Sequence, residues 1–398
     1  MARSVSRLGV DVYAINASDS PMRYSRCCQL ITLGGEKSAD IWSAFLLGSE
    51  SDHLKGAVLL AASDAAIELI IRQRDELAKR YVLDISSPEA QLCMLNKLTS
   101  YRAATEAGVP TPKYWQVETL EDVNRISHEL VFPLIVKPHL SHVFVARFGR
   151  KFVLANNLDE LMGLIEDVFS SGVGILLMEK IVGPDDLLCS YYTYLDDQGQ
   201  PLFDFTKRVI RRYPANEGLA CYHITDKNPE VREVALKFMR HVGLRGLGNV
   251  EFKRDVRDGQ LKLIECNARF TAANMLVTAA GFDLGQFVYK RLAGWPLDPL
   301  TSYRSGLRLW NPIEDFKAYK ELSRQNSLTL FQWLCGVCHV QVLPVWSWHD
   351  PAPTVMREAQ RIARGILKLL GLRHHKIAAG VSPQPASSVT TSKCSDTR

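Results

Sequence analysis

Glu251 and Glu265 flank Arg257-Asp258-Gly259 within the runs Gly248-Asn249-Val250-Glu251-Phe252-Lys253-Arg254-Asp255 and Leu263-Ile264-Glu265-Cys266-Asn267-Ala268-Arg269. Apolar and polar residues alternate in both runs, so the segment reads as an antiparallel hairpin. A three-residue loop at 257–259 puts Gly259 in the left-handed slot, pairs 256 with 260 and sets Glu251 opposite Glu265. Side chains so paired have Cβ atoms about 4.5–5.5 Å apart, and like charges there repel. Two carboxylates held together need a shared proton or a cation. Asn267 and Arg269 follow at period two on the same face, while Val250, Phe252, Ile264 and Cys266 take the other and can be buried. An oxygen-only donor set suits Mg²⁺ or Mn²⁺ rather than zinc. The competing reading is a half-exposed hairpin with a solvated charged face.

Three further segments carry usable chemistry. Phe132-Pro133-Leu134-Ile135-Val136-Lys137-Pro138 is a buried strand ending in a lysine, whose ammonium must reach an open cleft where a phosphate is a natural partner. Met178-Glu179-Lys180-Ile181-Val182-Gly183-Pro184-Asp185-Asp186 is a strand end running into a turn. Lys207-Arg208-Val209-Ile210-Arg211-Arg212 puts four cations on one strand, which costs stability unless an anion is near; the alternative is an edge strand guarded by charge.

Composition bounds the function classes. With 398 residues, 46% hydrophobic and 23% charged, the chain is an ordinary globular protein with room for two or three domains. A net charge of +5 implies no extended nucleic-acid surface. Nine cysteines without framework spacing favour a reducing, cytoplasmic compartment. Neither a signal peptide nor a run of ~18 apolar residues is visible, so no membrane association is expected.

The elements that must position these residues read as α/β. A helix over 2–8 ends at Gly9, strands follow at 10–15, 56–62 and 81–83, and a helix covers 64–80. Ser86-x-x-Glu89 with Pro88 caps a helical stretch that carries Lys97 and stops at Gly108. Helices near 120–130, 158–170 and 229–242 alternate with strands at 134–138, 175–179, 187–195 and 202–212. From about 296 a Trp-rich extension leads to an amphipathic helix near 354–370. Its stripe Val355, Ala359, Ile362, Ile366 and Leu370 is expected to pack on the core, with Arg357, Arg361, Arg364 and Lys368 outside. Residues 381–398 are Ser/Thr/Pro-rich and read as disordered. Cys335-Gly336-Val337-Cys338-His339 matches a haem-attachment pattern, but without an export signal it reads as coincidence, in a helix beginning near Leu328. His374-His375 reads as a complement to a helix dipole.

Taken in order, residues 90–295 resemble the ATP-grasp superfamily, closest in pattern to its carboxylate–amine ligases. The resemblance implies an α/β, α+β fold. A small N-terminal Rossmann-like domain lacking its first strand (1–85) would precede an ATP-grasp domain (86–295) built of a central subdomain (112–180) and a large subdomain (181–295). A mostly helical extension (296–380) would follow. It also implies site residues: Glu251, Glu265 and Asn267 as ligands of two Mg²⁺ or Mn²⁺ ions, with Arg208 and Arg269 catalytic. Lys97, Lys137, Ser141, Glu179, Lys180, Ile181 and Asp186 would bind ATP, and Arg211 or Arg212 would hold a substrate carboxylate. Asn96 stands where the family usually has Asp. The phosphate-covering segment 139–151 has only Gly149, with Ser141, His142, Arg147, Arg150 and Lys151 in place of a glycine-rich loop.

The expected activity is ATP-dependent joining of a small carboxylic acid to an amine or thiol through an acyl phosphate. Its alternatives are a non-catalytic ATP-binding regulator and a bicarbonate-phosphorylating carboxylase. Expected partners are small-molecule acids and amines, with no nucleic acid and no membrane; a homodimer is compatible with the sequence.

Overall fold

The computed structural model describes residues 1–34, 39–139, 152–170, 174–298, 300 and 302–369. Ser141, His142, Arg147, Arg150, Lys151, the 381–398 tail and His374-His375 lie outside the described residues.

Near the N-terminus β1 (Tyr13–Ile15) and β2 (Gln29–Ile31) pair in parallel. The expected strand at 56–62 contributes only a bridge between Val58 and Val82. A four-stranded sheet, ordered β3-β6-β4-β5, joins β3 (Tyr114–Val117), β4 (Leu134–Pro138), β5 (Val153–Ala155) and β6 (Ile175–Glu179). Its Val136, Ile175 and Leu177 pack on Leu161 and Ile165 of the helix Leu158–Ser170.

The larger sheet has the order β11-β10-β7-β8-β9-β12-β13. Its members are β7 (Leu188–Leu195), β8 (Phe205–Tyr213), β9 (Leu219–Asp226), β10 (Gly246–Arg254), β11 (Leu261–Asn267), β12 (Arg308–Trp310) and β13 (Gln341–Val342). One face buries Tyr191, Val250, Phe252 and Leu263 against Val231, Ala235 and Phe238 of the helix Pro229–His241. The opposite face is covered at one end, where Tyr192, Tyr194 and Phe205 meet the helices Asn274–Ala280 and Leu284–Leu292. The rest of that face is the polar one. The long middle strands therefore divide core from chemistry by their period-two alternation alone.

The expected helix over 64–80 is two, Asp64–Arg72 and Arg74–Ala78, and three further local differences bear on the site or the surface. The stretch carrying Lys97 is two helices, Pro88–Leu95 and Lys97–Glu106, because Asn96 adopts an extended backbone and caps the second through Leu98 N–H (2.9 Å) and Thr99 N–H (3.3 Å). Asn in place of Asp supplies the same cap oxygen. The first of these helices is capped by Ser87 rather than Ser86, since Pro88 occupies the first helical position and fixes the residue before it as the cap.

The third difference concerns the helix Ala352–Leu369. The described part of its expected core stripe is turned outward: Val355 is 53% and Ile362 63% exposed, Ala359 is exposed, and Arg364, Ile366, Lys368 and Leu370 lie outside the described side chains. Arg357 and Arg361 are instead half-buried and paired with Glu358 and Glu314. The ion pair to Glu314 docks the cationic face, which leaves the apolar one facing out. Among the described residues, no helix is long and apolar enough to cross a membrane.

Candidate active site

Glu251 and Glu265 do face one another across β10 and β11, as do Asn249 and Asn267. The hairpin reaches this register by a different route from the expected one. Asp255 N–H donates to Gln260 O and Gly259 N–H to Asp255 O, so the loop is 256–259, one residue longer than expected, with Gly259 at φ +72°. That shifts the pairing by one, giving Phe252 opposite Leu263. A bulge at Ile264 then shifts it back before the glutamates.

The bulge also has a use. The unpaired Ile264 carbonyl accepts from Lys137 Nζ (3.0 Å) and Tyr101 Oη (3.0 Å), and Lys137 Nζ donates to Tyr101 Oη as well (3.2 Å). A lysine at the end of β4 is thus drawn onto the glutamate hairpin of the other sheet. Burial holds the Tyr101 phenol well above its ordinary pKa, so it stays a donor. Lys97 approaches from its helix N-terminus and places Nζ 3.7 Å from Glu265 Oε1.

The register continues through the sheet. Glu251 is opposite Ser190, and Ser190 is opposite Lys207, so Glu265, Glu251, Ser190 and Lys207 form one row on one face. Arg208 belongs to the other face, paired with Cys189 and Ile224. Of the two adjacent cations, the structure brings Lys207, not the expected Arg208, to the glutamates. Lys207 is 5% exposed and makes no salt bridge among the described residues. Burial lowers its pKa, and the charge of Glu251 opposes that shift. Beside it, His223 is buried and held well below its ordinary pKa by desolvation and by Lys207, so it is neutral. Ser190 Oγ and His223 Nδ1 find no hydrogen-bond partner among the described residues.

Arg269 follows Asn267 and is engaged from a distant part of the chain. Its Nε donates to Asp64 Oδ1, the first residue of the helix Asp64–Arg72, and its Nη1 to Phe270 O (3.2 Å). Although burial works against the charge, the Asp64 hydrogen bond keeps the guanidinium above its ordinary pKa. A cavity of about 30 Å³ beside it is lined by Leu60, Arg74, Asp84, Gln91 and Phe270, and Gln91 Oε1 has no partner among the described residues.

The other expected residues fall into two groups. Asp186 is exposed on the turn after β6, whereas its neighbour Asp185 is buried and accepts from Arg212 Nε (2.7 Å). Lys180 donates its N–H to Pro133 O and its ammonium to Glu217 (3.0 Å), and Ile181 is buried. The Glu179 carboxylate is taken by Lys113 N–H (2.9 Å), Arg257 (3.1 Å) and Lys262 (3.5 Å), an internal network shared with Asp255.

Arg211 and Arg212, expected to hold a substrate, are engaged internally. Arg211 makes a two-pronged pair with Asp315, Nε–Oδ1 2.6 Å and Nη2–Oδ2 2.9 Å, and Asp315 is fully buried. Asp315 could not have been foreseen as the partner, because it lies on a helix more than a hundred residues further along the chain. Asp64 was missed for the same reason, and Ser190 because its place in the row depends on the pairing of β7 with β10 and β8. Lys207 was visible in its motif, but choosing between it and Arg208 needs the register of β7 against β8.

The donor set fits a hard divalent cation. Asn267 Nδ2 is directed to Asn249 Oδ1 (3.5 Å), which leaves the Asn267 amide oxygen to stand with the two carboxylates. Two carboxylates, an amide oxygen and the unsatisfied Ser190 hydroxyl are oxygen donors only. Among the described residues no group of three or more His, Cys, Asp or Glu is placed to hold a metal, which includes Cys335 and Cys338, both exposed free thiols.

Residues 221–300 match the family model described as "Carbamoyl-phosphate synthase L chain, ATP binding domain". The D-aspartate ligase of Enterococcus faecium (strain Aus0004) is 26% identical over 347 residues, covering 82% of each chain. A D-alanine–D-alanine ligase of Xanthomonas axonopodis pv. citri is 26% identical over 212 residues, 48% of this chain and 61% of that one. A solved biotin carboxylase from Campylobacter jejuni superposes with a TM-score of 0.60 at 16% identity, covering 77% of this chain and 71% of that one.

Proposed function

We propose that this chain is a carbon–nitrogen ligase of the ATP-grasp superfamily, of the carboxylate–amine type, that activates a small carboxylic acid with ATP and passes the acyl group to an amine. The observation that carries the reading is the row Glu265–Glu251–Ser190–Lys207, with Asn267 and Arg269 on the same hairpin and Lys97 and Lys137 reaching it from elsewhere.

A carboxylate resists attack by an amine because its departing group would be an oxide. Attack of a carboxylate oxygen on the γ-phosphorus forms a P–O bond, breaks the β–γ bridge and releases ADP. The amine nitrogen then bonds the acyl carbon, and phosphate departs with the C–O electron pair while the amine loses a proton. Little covalent work falls to the protein, so positioning and charge neutralisation dominate. Glu251, Glu265 and Asn267 would hold Mg²⁺, which when bound screens the triphosphate. Lys137 and Lys97 stand on the nucleotide side of the hairpin, and Lys207 would meet the transferred phosphoryl group in place of Arg208. Arg269, held by Asp64, would face the acyl phosphate. Asp186 is exposed where ribose hydroxyls would lie.

Phosphate release from ATP and Mg²⁺ tests the reading, screened against D-aspartate, D-alanine and other small acids, each paired with amines, and with bicarbonate as a separate arm. Glu265→Gln should leave the fold intact and abolish ADP formation. Unchanged turnover in that variant refutes the assignment of the glutamates, and bicarbonate-dependent release without an amine would replace ligase with carboxylase.

A further inference from the structure

From Gln325 to His349 the sequence contains no Asp, Glu, Lys or Arg. In the middle of this run the helix Leu330–Val337 is capped by Thr329 and Gln332, yet it buries none of its residues. Phe331 is 75%, Leu330 53% and Leu334 43% exposed, and Val340, just beyond the helix, is 87% exposed. Single exposed apolar residues need no explanation, but a whole short helix of them does.

The helix is held by one edge. Trp333 lies against Tyr319 (5.1 Å between ring centres) and donates Nε1–H to Asp315 (2.9 Å), and the Gly336 carbonyl accepts from Arg308 (2.8 Å). Everything opposite that edge faces out. The supporting helix Pro312–Arg324 adds Phe316, 43% exposed.

Charge on that supporting helix is sorted by direction. Its three acids are all engaged inward: Asp315 by Arg211, Glu314 by Arg361, and Glu321 by the N–H of Ala215 (3.2 Å). Its cations turn the other way, except Lys317, whose Nζ lies 5.5 Å over the Tyr213 ring. Lys320 and Arg324 are exposed, and neither they nor Lys317 makes a salt bridge among the described residues; Lys320 Nζ lies 5.1 Å over the Phe316 ring. The helix Ala352–Leu369, tied to the same element through Arg361–Glu314, presents Val355 and Ile362 outward as well.

We propose that this apolar, cation-edged face seats the protein on an anionic lipid surface, with Leu330, Phe331 and Leu334 entering the headgroup–acyl boundary and Lys320 and Arg324 meeting lipid phosphates. An uncharged segment enters that boundary without stripping water from an ion, and outward cations with no outward acid complement a negative leaflet. A two-fold contact with a second copy would instead crowd like cations around the same apolar centre, while the acids of the supporting helix are already engaged. The inference is independent of the ligase reading, since none of these residues touches the glutamate face.

Co-sedimentation of the full chain with phosphatidylcholine vesicles, with and without a quarter phosphatidylglycerol, tests the proposal. Analytical ultracentrifugation gives the oligomeric state alongside it. The anionic vesicles should bind several-fold more protein than the neutral ones. Phe331→Asp with Leu334→Asp should lower the bound fraction at least tenfold, and Lys320→Glu with Arg324→Glu should erase the preference for anionic lipid. Melting temperature and ATP-dependent phosphate release without vesicles should match the parent chain. Absence of vesicle binding by the parent chain overturns the proposal, as does a parent dimer that Phe331→Asp converts to monomer without any lipid binding.

Discussion

Arg269, two residues beyond Asn267 on the glutamate hairpin, is ion-paired to Asp64, the first residue of a helix near the other end of the chain. The guanidinium that would face the acyl phosphate is thus oriented by a carboxylate from outside both large sheets. Its fork geometry also makes lysine a poor substitute. Asp64→Asn should lower kcat by about tenfold, the loss of one oriented hydrogen bond, with the KM for ATP nearly unchanged. Arg269→Lys should be as inactive as Arg269→Ala. A shift confined to the KM for ATP would mean that Asp64 acts on the nucleotide instead.

Lys207 and Arg208 are neighbours on opposite faces of one strand. Lys207→Met should reduce kcat/KM by about 10²-fold or more, the usual consequence of removing a charge aimed at a transferred phosphoryl group. Arg208→Met should leave steady-state phosphate release within a few-fold of the parent. The reverse order of effects would show that the face carrying Arg208 is the chemical one.

Asp315 joins Arg211 to two indoles, Trp310 Nε1–H and Trp333 Nε1–H, each 2.9 Å from Oδ2. Removing one member of a buried ion pair strands the other, at a cost of about 3–5 kcal/mol. Asp315→Ala should therefore unfold at markedly lower urea concentration, and the active fraction should keep the parent KM for both substrates. A selective rise in the KM for the acid would restore Arg211 as a substrate ligand.

His223 remains neutral inside the sheet because burial and Lys207 depress its pKa. An unfolded histidine takes up a proton near its ordinary value of about 6.5. The contribution of neutral His223 is complete above that pH and is lost as pH falls below it, toward the depressed folded value. The slope approaches about 1.4 kcal/mol per pH unit. His223→Gln should show a flatter decline in unfolding free energy between pH 6.5 and 5 than the parent. Parallel curves would mean that the imidazole titrates freely in the fold.

Magnesium–ATP should stabilise the parent chain by about 2.7 kcal/mol at a hundredfold excess over Kd. Glu251→Gln should lose most of that shift while the ligand-free melting curve stays cooperative. A preserved shift would place the nucleotide away from the hairpin.

The alternation around Glu251 and Glu265, the turn glycine Gly259, and the strand that delivers Lys137 are local features, and residue order alone determined them. So was the mixture of strands and capped helices that makes the fold recognisable, because period, caps and turn residues act over a few positions. Tertiary structure decided which of Lys207 and Arg208 reaches the glutamates, since that depends on strands paired across intervening chain. It also assigned Arg211 to Asp315 and Arg269 to Asp64, and turned Val355 and Ile362 of the helix Ala352–Leu369 outward. Partners separated by a hundred residues or more leave no mark on either segment's pattern, because an ion pair is specified only when folding brings its two halves together.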